Sequence, residues 1–331
     1  MNFRADGLDA ELEAAVAAVR EAAALCRAVQ KEMADGALEK KDRSPVTVAD
    51  FGSQALICRA LRSAFPEDAI VAEEHSEQLR EVGGEGILQR LGEFVRRTQA
   101  SASNAEVCEW IDYGASEANP NRFWTLDPID GTKGFLRGDQ YAVALALIEQ
   151  GTVQVAALGC PNLPPDPARP DRLGALFAAV RGQGAFVVSL DEPNGSDLVR
   201  VSPRSAPSAA RFCEPFESEH SSHGDSARVA AHLGITAPPL RLDSQAKYAL
   251  VASGAAEVYL RVPRGTSYLE KIWDHAAGYL IVREAGGRVT DLRGAELDFT
   301  RGRELSANQG ILVTNGPLHE PVLTALAAVM P

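Results

Sequence analysis

With 331 residues, 45% of them hydrophobic and 24% charged, the chain has ordinary globular composition and enough length for two domains, which argues against disorder. Its net charge of −12 argues against a nucleic-acid polymer as partner, because that affinity comes from Lys and Arg contacts to phosphates. A small phosphorylated ligand stays open, since local cations or metals overrule the overall sign.

The five cysteines (Cys26, Cys58, Cys108, Cys160 and Cys213) are odd in number, widely spaced and without a CxxC pair, so they read as thiols of a reducing, cytoplasmic compartment. The N-terminal stretch interleaves charges among alanines and lacks the apolar core of a signal peptide. The longest clean apolar run, Tyr141–Ile148, is too short to span a membrane.

In chain order, Leu12, Val16, Val19, Leu25 and Val29 recur at helical spacing and predict an amphipathic helix over residues 8–33. Pro45 predicts extended chain before it. Thr47 followed by Asp50 reads as a capping box that opens a second helix, which ends before Pro66. Ala69–Ala72 reads as a short strand leading into Glu73 and Glu74. Residues 76–122 have the character of an insertion with one amphipathic helix near Ile87–Val95. Trp124–Leu126 is a short strand running into DPIDGTKGF. Tyr141–Ile148 pairs with Val153–Leu158 as a hairpin, and Leu176–Val180 with Ala185–Leu190 as another. The proline-rich stretch 161–170 between them is a surface loop.

The turn DEPNGS marks the expected domain boundary, giving domains 1–196 and 197–331. Beyond it, strands at Ala256–Val262, Gly287–Asp291 and Gly310–Thr314 alternate with helices near Ser226–Leu233, Ala246–Ser253, Trp273–Glu284 and Leu318–Val329, the pattern of an α/β domain.

Five acidic residues fall where the chain changes direction: Asp50 and Asp274 at helix starts, Glu73 after a strand, Asp127 and Asp130 around a Pro-Ile turn. Such hard oxygen donors suit Mg²⁺, which takes carboxylates and keeps positions open for phosphate oxygens. Pro128 rigidifies the D-P-I-D turn so that both aspartates and the Ile129 carbonyl can converge, and Gly131 then gives the backbone freedom. Converging like charges cannot be buried together without cations, which points to a multi-metal phosphoryl-transfer site. Taken singly, Asp50 and Asp274 read equally as helix caps, Glu73–Glu74 as a solvated surface and the turn as only a turn. The ordered combination is what carries the chemistry.

At these residues the sequence resembles the inositol monophosphatase superfamily, through EE (Glu73–Glu74), DPIDGT (Asp127–Thr132) and WDHAAG (Trp273–Gly278). SPVTVAD, LDPIDGTKGFLRG, HSSH, LDSQAKY and EKIWDHAAG are most similar to its bisphosphate nucleotidase branch, and the likeness runs from about residue 8 to about 325. The resemblance implies an α/β (α+β) fold, a layered α/β/α/β/α sandwich of the inositol monophosphatase and fructose-1,6-bisphosphatase type, with the site between two domains.

The same resemblance implies two or three Mg²⁺ ions held by Glu73, Asp127, Asp130, Asp274 and the Ile129 carbonyl. Asp50 and Thr132 correspond to the pair that orients the attacking water, with Glu73 also part of the catalytic set. Thr132, His220, Ser244, Lys247, Arg261 and Asp274 correspond to substrate contacts. Lys247 and Arg261 would neutralise a second phosphate, Arg through its planar fork.

The implied activity is removal of the 3′-phosphate of adenosine 3′,5′-bisphosphate, with the sulfated nucleotide as a further substrate, a role in sulfur metabolism and inhibition by lithium. An inositol (poly)phosphate or sugar-phosphate phosphatase is the alternative, and LDSQAKY with Arg261 favours the nucleotide. A catalytically silent nucleotide sensor is the other alternative, and the intact metal set and water-orienting pair argue against it. Ala72 departs from the family, which commonly has glycine before the two glutamates. Read from the residues alone, Lys133 either touches phosphate or caps its turn, His223 and His232 are surface residues, and His275 is a packing or supporting residue behind Asp274.

Overall fold

The computed structural model describes residues 8–35, 44–81, 84–119, 121–192, 195–216, 223–263 and 269–330. Helix α1 (Asp9–Ala34) is alanine-rich, carries Asp9 and Glu11 in its first turn and Lys31 in its last, and buries Leu12, Val16, Val19, Leu25 and Val29. Helix α2 (Ser44–Ala64) lies against it. It begins three residues before the expected capping box, so Pro45 occupies the first turn, where its missing N–H costs nothing. Asp50 is therefore in the body of α2 and not at its start.

Strand β1 (Ala69–Ala72) is followed by three helices where one was expected: α3 (Ser76–Glu81), α4 (Glu85–Val95) and α5 (Asn104–Asp112). The last is announced by a capping box, Ser103 bonding the Glu106 N–H and Glu106 reaching back to the Ser103 N–H.

Strand β2 (Arg122–Asp130) is longer than its apolar centre suggested, and a register shift between Asp127 and Asp130 bends its end. After the short helix α6 (Thr132–Arg137) come β3 (Ala142–Glu149), β4 (Thr152–Cys160), β5 (Ala175–Val180), β6 (Gly184–Ser189) and β7 (Asp197–Val199). These seven strands form one sheet in sequence order, with only β1–β2 parallel, and both expected hairpins are present within it.

The second sheet has the order β11-β12-β10-β8-β9. Its elements are β8 (Phe212–Glu214), α7 (His223–His232), β9 (Leu240–Arg241), α8 (Ala246–Ala252), β10 (Val258–Arg261), α9 (Ala276–Glu284), β11 (Arg288–Thr290), β12 (Ile311–Thr314) and α10 (His319–Val329). Strands β7, β8 and β9 are two or three residues long and leave no periodic trace in the sequence. Asp274 closes a single 3₁₀ turn (Ile272–Asp274), with α9 starting at Ala276.

Three apolar clusters stack these elements into five layers. Trp124, Leu126 and Leu145 of the first sheet pack on α1 and α2. Phe123, Ala144 and Ala146 on its other face pack on α8 and α9, which also cover Tyr259 and Val313 of the second sheet. Leu260 and Leu312 on that sheet's far face meet Val229 of α7 and Val322 of α10. The architecture is an α/β/α/β/α sandwich, with α8 and α9 as its central layer.

All five cysteines are free thiols. Among the described residues no helix is long and apolar enough to cross a membrane.

His319, at the start of α10, is fully buried between β11 and β12. The Thr290 hydroxyl donates to the Asp291 carbonyl (2.8 Å) and so accepts from Nε2–H (3.0 Å), leaving Nδ1 to accept the Thr314 hydroxyl (2.9 Å). This arrangement needs a neutral ring. Burial, aided by the charge of Arg288, lowers its pKa to about 4. The folded value lies below the unfolded one, so the stability tied to this ring is complete above about pH 6.5 and drains away as pH falls toward 4. Urea unfolding between pH 7.5 and 4.5 should show wild type losing about 2 kcal/mol more than His319→Gln. Equal pH dependence in the two proteins contradicts this account.

Candidate active site

A cavity of about 430 Å³ opens where the end of β2 meets α6, α8 and the turn before α9. Its walls include Glu73, Asp127, Ile129, Asp130, Thr132, Ser244, Lys247, Arg261 and Asp274. Lys133 lines it as well. Asp50 lies behind this wall, 8% exposed, with Glu74, Glu73 and Asp127 as its charged neighbours. His220 falls outside the described residues. His232 is exposed on the last turn of α7, and the His223 side chain is also outside the described set.

Local sequence explains how the acids are aimed. Asp127 shares the strand parity of Phe123 and Thr125, so it faces the central helices rather than α1 and α2. Ser53, on the same α2 face as Asp50, donates to the Pro128 carbonyl (2.9 Å) and fixes the bent turn. Gly131 has φ 89°, and a side chain there would sit 2.9 Å from the Ser244 Cβ. Asp130 accepts the Gln245 N–H, and Ser244 itself is held at φ 70°, a strained value for a non-glycine residue. The Thr132 hydroxyl donates to the Ile129 carbonyl at 3.5 Å.

Two glutamines that the sequence reading passed over organise the cavity. Gln54 brackets the Glu73–Glu74 segment, donating to the Glu74 carbonyl (2.7 Å) and accepting the Glu74 N–H (3.1 Å). Gln245 donates to the Trp273 carbonyl (2.7 Å) and accepts the Gly278 N–H (3.0 Å), tying α8 to the turn that carries Asp274. Gln54 was discoverable as the residue one helical turn beyond Asp50. Ala72 is accommodated because it packs on Gly114, where any side chain would collide with its methyl group at 2.7 Å.

The acids crowd one another. Burial first, then Glu74 and Glu73, hold the Asp50 carboxyl well above the usual carboxylate range. Burial, then Glu73, Asp130 and Asp274, do the same for Asp127. Glu73 rises to about 8 through loss of surrounding water and the charges of Asp274, Glu74 and Asp130. Its side chain still meets solvent in the cleft, so the neighbouring charges are the firmer of these causes. Asp130 rises to about 6, since burial and Asp274 outweigh Lys247, the Gln245 N–H and Arg261.

Asp127 is 1% exposed, and its Oδ1 has no hydrogen-bond partner among the described residues. A buried, unpartnered carboxylate oxygen among like charges is costly, and a hard divalent cation removes that cost. The all-oxygen donor set therefore fits Mg²⁺.

A different trio, Glu270, Asp274 and His275, places its donor atoms within 4.8 Å of one another. Its members are already engaged. Arg261 pairs with Glu270 (2.8 Å), and the fully buried His275 ring bonds Tyr248 OH (2.8 Å) and Glu270 (3.0 Å). His275 is thus a buried packing residue, held by Tyr248 and Glu270 next to Asp274 in the chain.

Among the acids, Lys247 is 4% exposed and feels the charges of Asp130 and Asp243. Its ammonium donates to the carbonyls of Ser244 (2.7 Å) and Leu242 (3.3 Å) and lies over the Tyr259 ring. Arg261 sits beside it, 3.7 Å from Asp274. The cavity lining thus combines carboxylates with two cations set close among them, a mixture suited to holding metal ions and phosphate oxygens together.

A five-layered sandwich with this acidic cavity beside its central helices defines a class of phosphatase. Residues 8–329 match the inositol monophosphatase family, and the chain belongs to that family. It is 45% identical to the 3′(2′),5′-bisphosphate nucleotidase of Emericella nidulans, over 95% of this chain and 96% of that protein. It is 46% identical to the protein of the same name from Oryza sativa, over 96% of this chain and 93% of that one. Among solved structures, the inositol monophosphatase of Anabaena (Nostoc) sp. PCC 7120 superposes with a TM-score of 0.64 at 23% identity, covering 98% of each chain, a likeness of fold.

Proposed function

We propose that this chain is a Mg²⁺-dependent 3′(2′),5′-bisphosphate nucleotidase that hydrolyses the 3′-phosphate of adenosine 3′,5′-bisphosphate. The observation that carries the reading is the mixed-charge cavity: Glu73, Asp127, Asp130 and Asp274 line it together with Lys247 and Arg261. The family membership and the names of its relatives support the same reaction.

In this reading the four carboxylates and the Ile129 carbonyl hold two or three Mg²⁺ ions. Metal held there would supply Lewis-acid chemistry, easing ionisation of a water and offsetting charge on the leaving oxygen. Thr132, at the start of α6, would orient an attacking water, and Asp50, behind the cavity wall, would accept its proton. Asp130 is fixed by the Gln245 N–H, so the cavity floor does not have to reorganise during the reaction. Arg261 offers a planar guanidinium to the substrate's second phosphate and Lys247 a point charge, while Ser244 supplies a hydroxyl. The free thiols and the absence of a membrane-spanning helix among the described residues are compatible with a cytoplasmic setting.

A substrate panel tests this. With Mg²⁺, phosphate release from adenosine 3′,5′-bisphosphate should exceed that from inositol 1,4-bisphosphate or inositol 1-phosphate by at least about tenfold in kcat/KM, and EDTA should abolish it. 3′-Phosphoadenosine 5′-phosphosulfate, which keeps an anion at the 5′ end, should also be turned over. A better inositol substrate overturns the assignment in favour of an inositol phosphatase, and release indifferent to EDTA overturns the metal centre.

A further inference from the structure

We propose that Arg303 is a positioning residue that fixes the spacing between the chain segments bearing Glu73 and Asp274, and through it the affinity of the cavity for divalent cations. This rests on the reading of those two residues as metal ligands.

Arg303 belongs to none of the sequence motifs and lies in a turn between α9 and α10. Its backbone is fastened to the segment that leads into Asp274. The Ile272 N–H donates to the Arg303 carbonyl (3.2 Å) and the Leu305 N–H to the Glu270 carbonyl (2.8 Å). Lys271 and Glu304 pair across the same short ladder, with an ion pair of 2.5 Å between their side chains. The guanidinium lies over the ring of Trp273, 4.8 Å from its centroid, and Trp273 immediately precedes Asp274.

The same guanidinium donates through Nη2 to the Ala72 carbonyl (2.7 Å), and Ala72 immediately precedes Glu73. One planar cation thus joins the end of β1 in the first sheet to the turn before α9. It also faces the charges of Glu73 and Glu117.

Each contact has a separate physical consequence. Stacking on Trp273 fixes the plane of the guanidinium, and the hydrogen bond to Ala72 then fixes the height of the Glu73 backbone relative to that plane. Carboxylates that would share a divalent cation tolerate little change in separation, because ligand distances are confined to a few tenths of an ångström. Outer residues that orient ligands in this way commonly govern metal affinity by about 10–100-fold. Lysine retains the charge and one donor but has no planar fork to stack and bond at once.

The test is a titration with Mn²⁺ alone, a paramagnetic cation with the same preference for oxygen donors, read from the electron paramagnetic resonance signal of the unbound ion. Wild type, Arg303→Met, Arg303→Lys and Asp127→Asn are compared, with urea unfolding of each in the metal-free state. Arg303→Met should weaken Mn²⁺ binding by about 10–100-fold. Arg303→Lys should recover part of the loss, and unfolding midpoints should not track the order of affinities. KM for substrate at saturating metal should stay within about twofold, because Arg303 does not line the cavity.

Mn²⁺ affinity in Arg303→Met within twofold of wild type, or losses that follow unfolding midpoints, overturns the positioning role and leaves the metal centre standing. Wild type taking up Mn²⁺ no better than Asp127→Asn overturns the metal centre itself, and the positioning role with it. If Arg303→Met does not fold, Arg303→Lys carries the test, with weakening of at least about threefold expected and none overturning the proposal.

Discussion

Replacing Asp127 by asparagine should lower kcat/KM by at least about 10³-fold while making the metal-free protein more stable. Asp127 is 1% exposed, and its titratable neighbours Glu73, Asp130, Asp274 and Asp50 are all carboxyl groups. Without cations the folded chain must either protonate this group or keep a charge among like charges, whereas the unfolded chain ionises it freely in water. A carboxyl whose folded pKa is raised gives its full stability only below the unfolded value, about pH 4, and withdraws it as pH climbs. Asparagine removes that cost and keeps the shape. At pH 7.5 in EDTA the variant should melt a few degrees above wild type, corresponding to about 1–2 kcal/mol.

Adding Mg²⁺ should reverse the order. Wild type gains stability through binding to the folded state, and the variant, having lost a ligand, gains little. The measurements are thermal melts with and without Mg²⁺, and kcat/KM on adenosine 3′,5′-bisphosphate at saturating Mg²⁺. Activity within about tenfold of wild type would remove Asp127 from the reaction. A lower melting temperature in EDTA would show that the acids do not oppose folding.

How much of this was legible in the sequence depends on whether the determinant is local. The D-P-I-D turn was legible because proline, glycine and acid at fixed offsets state a backbone shape, and the structure bends β2 between Asp127 and Asp130. The hairpins and the terminal helices were legible because each carries its own periodicity. The start of α2 was misjudged because Thr47 and Asp50 imitate a cap, whereas Pro45 is already inside the first turn. Strands β7, β8 and β9 escaped because their pairing partners, and not their two or three residues, make them strands. The residues that hold the cavity in shape were the least legible. Gln245 and Arg303 act by bonding carbonyls far along the chain, and although Gln245 lies within LDSQAKY, neither residue's neighbours state which carbonyl it reaches. A sequence motif thus records which groups react more readily than it records what keeps them at the right separation.

The second large effect concerns Arg261, where the proposed phosphate contact and the fold share one residue. Arg261 bonds the buried Glu270 through Nε (2.9 Å) and Nη2 (2.8 Å), and His275 bonds the same carboxylate (3.0 Å). Burial pushes the Glu270 carboxyl up, but the His275 and Arg261 partners outweigh it and hold it at about 2. Truncating the guanidinium in Arg261→Met therefore does two things. It removes the charge-assisted, planar contact proposed for the substrate's second phosphate, which should weaken kcat/KM on adenosine 3′,5′-bisphosphate by about 10²-fold. It also leaves Glu270 a buried charge with one partner fewer, which should destabilise the fold by about 3 kcal/mol. Changing Glu270 to Gln in the same protein separates the two. Arg261→Met with Glu270→Gln should recover most of the lost stability, because a neutral amide in that pocket needs no countercharge, yet it should recover little of the lost kcat/KM. Inositol 1-phosphate, with a single phosphate, should be affected by less than about fivefold in either variant, so the preference for the bisphosphate collapses. The measurements are urea unfolding midpoints and kcat/KM on both substrates. If the double variant regains activity together with stability, Arg261 serves the fold and not the second phosphate, and recognition of that group falls to Lys247 and Ser244.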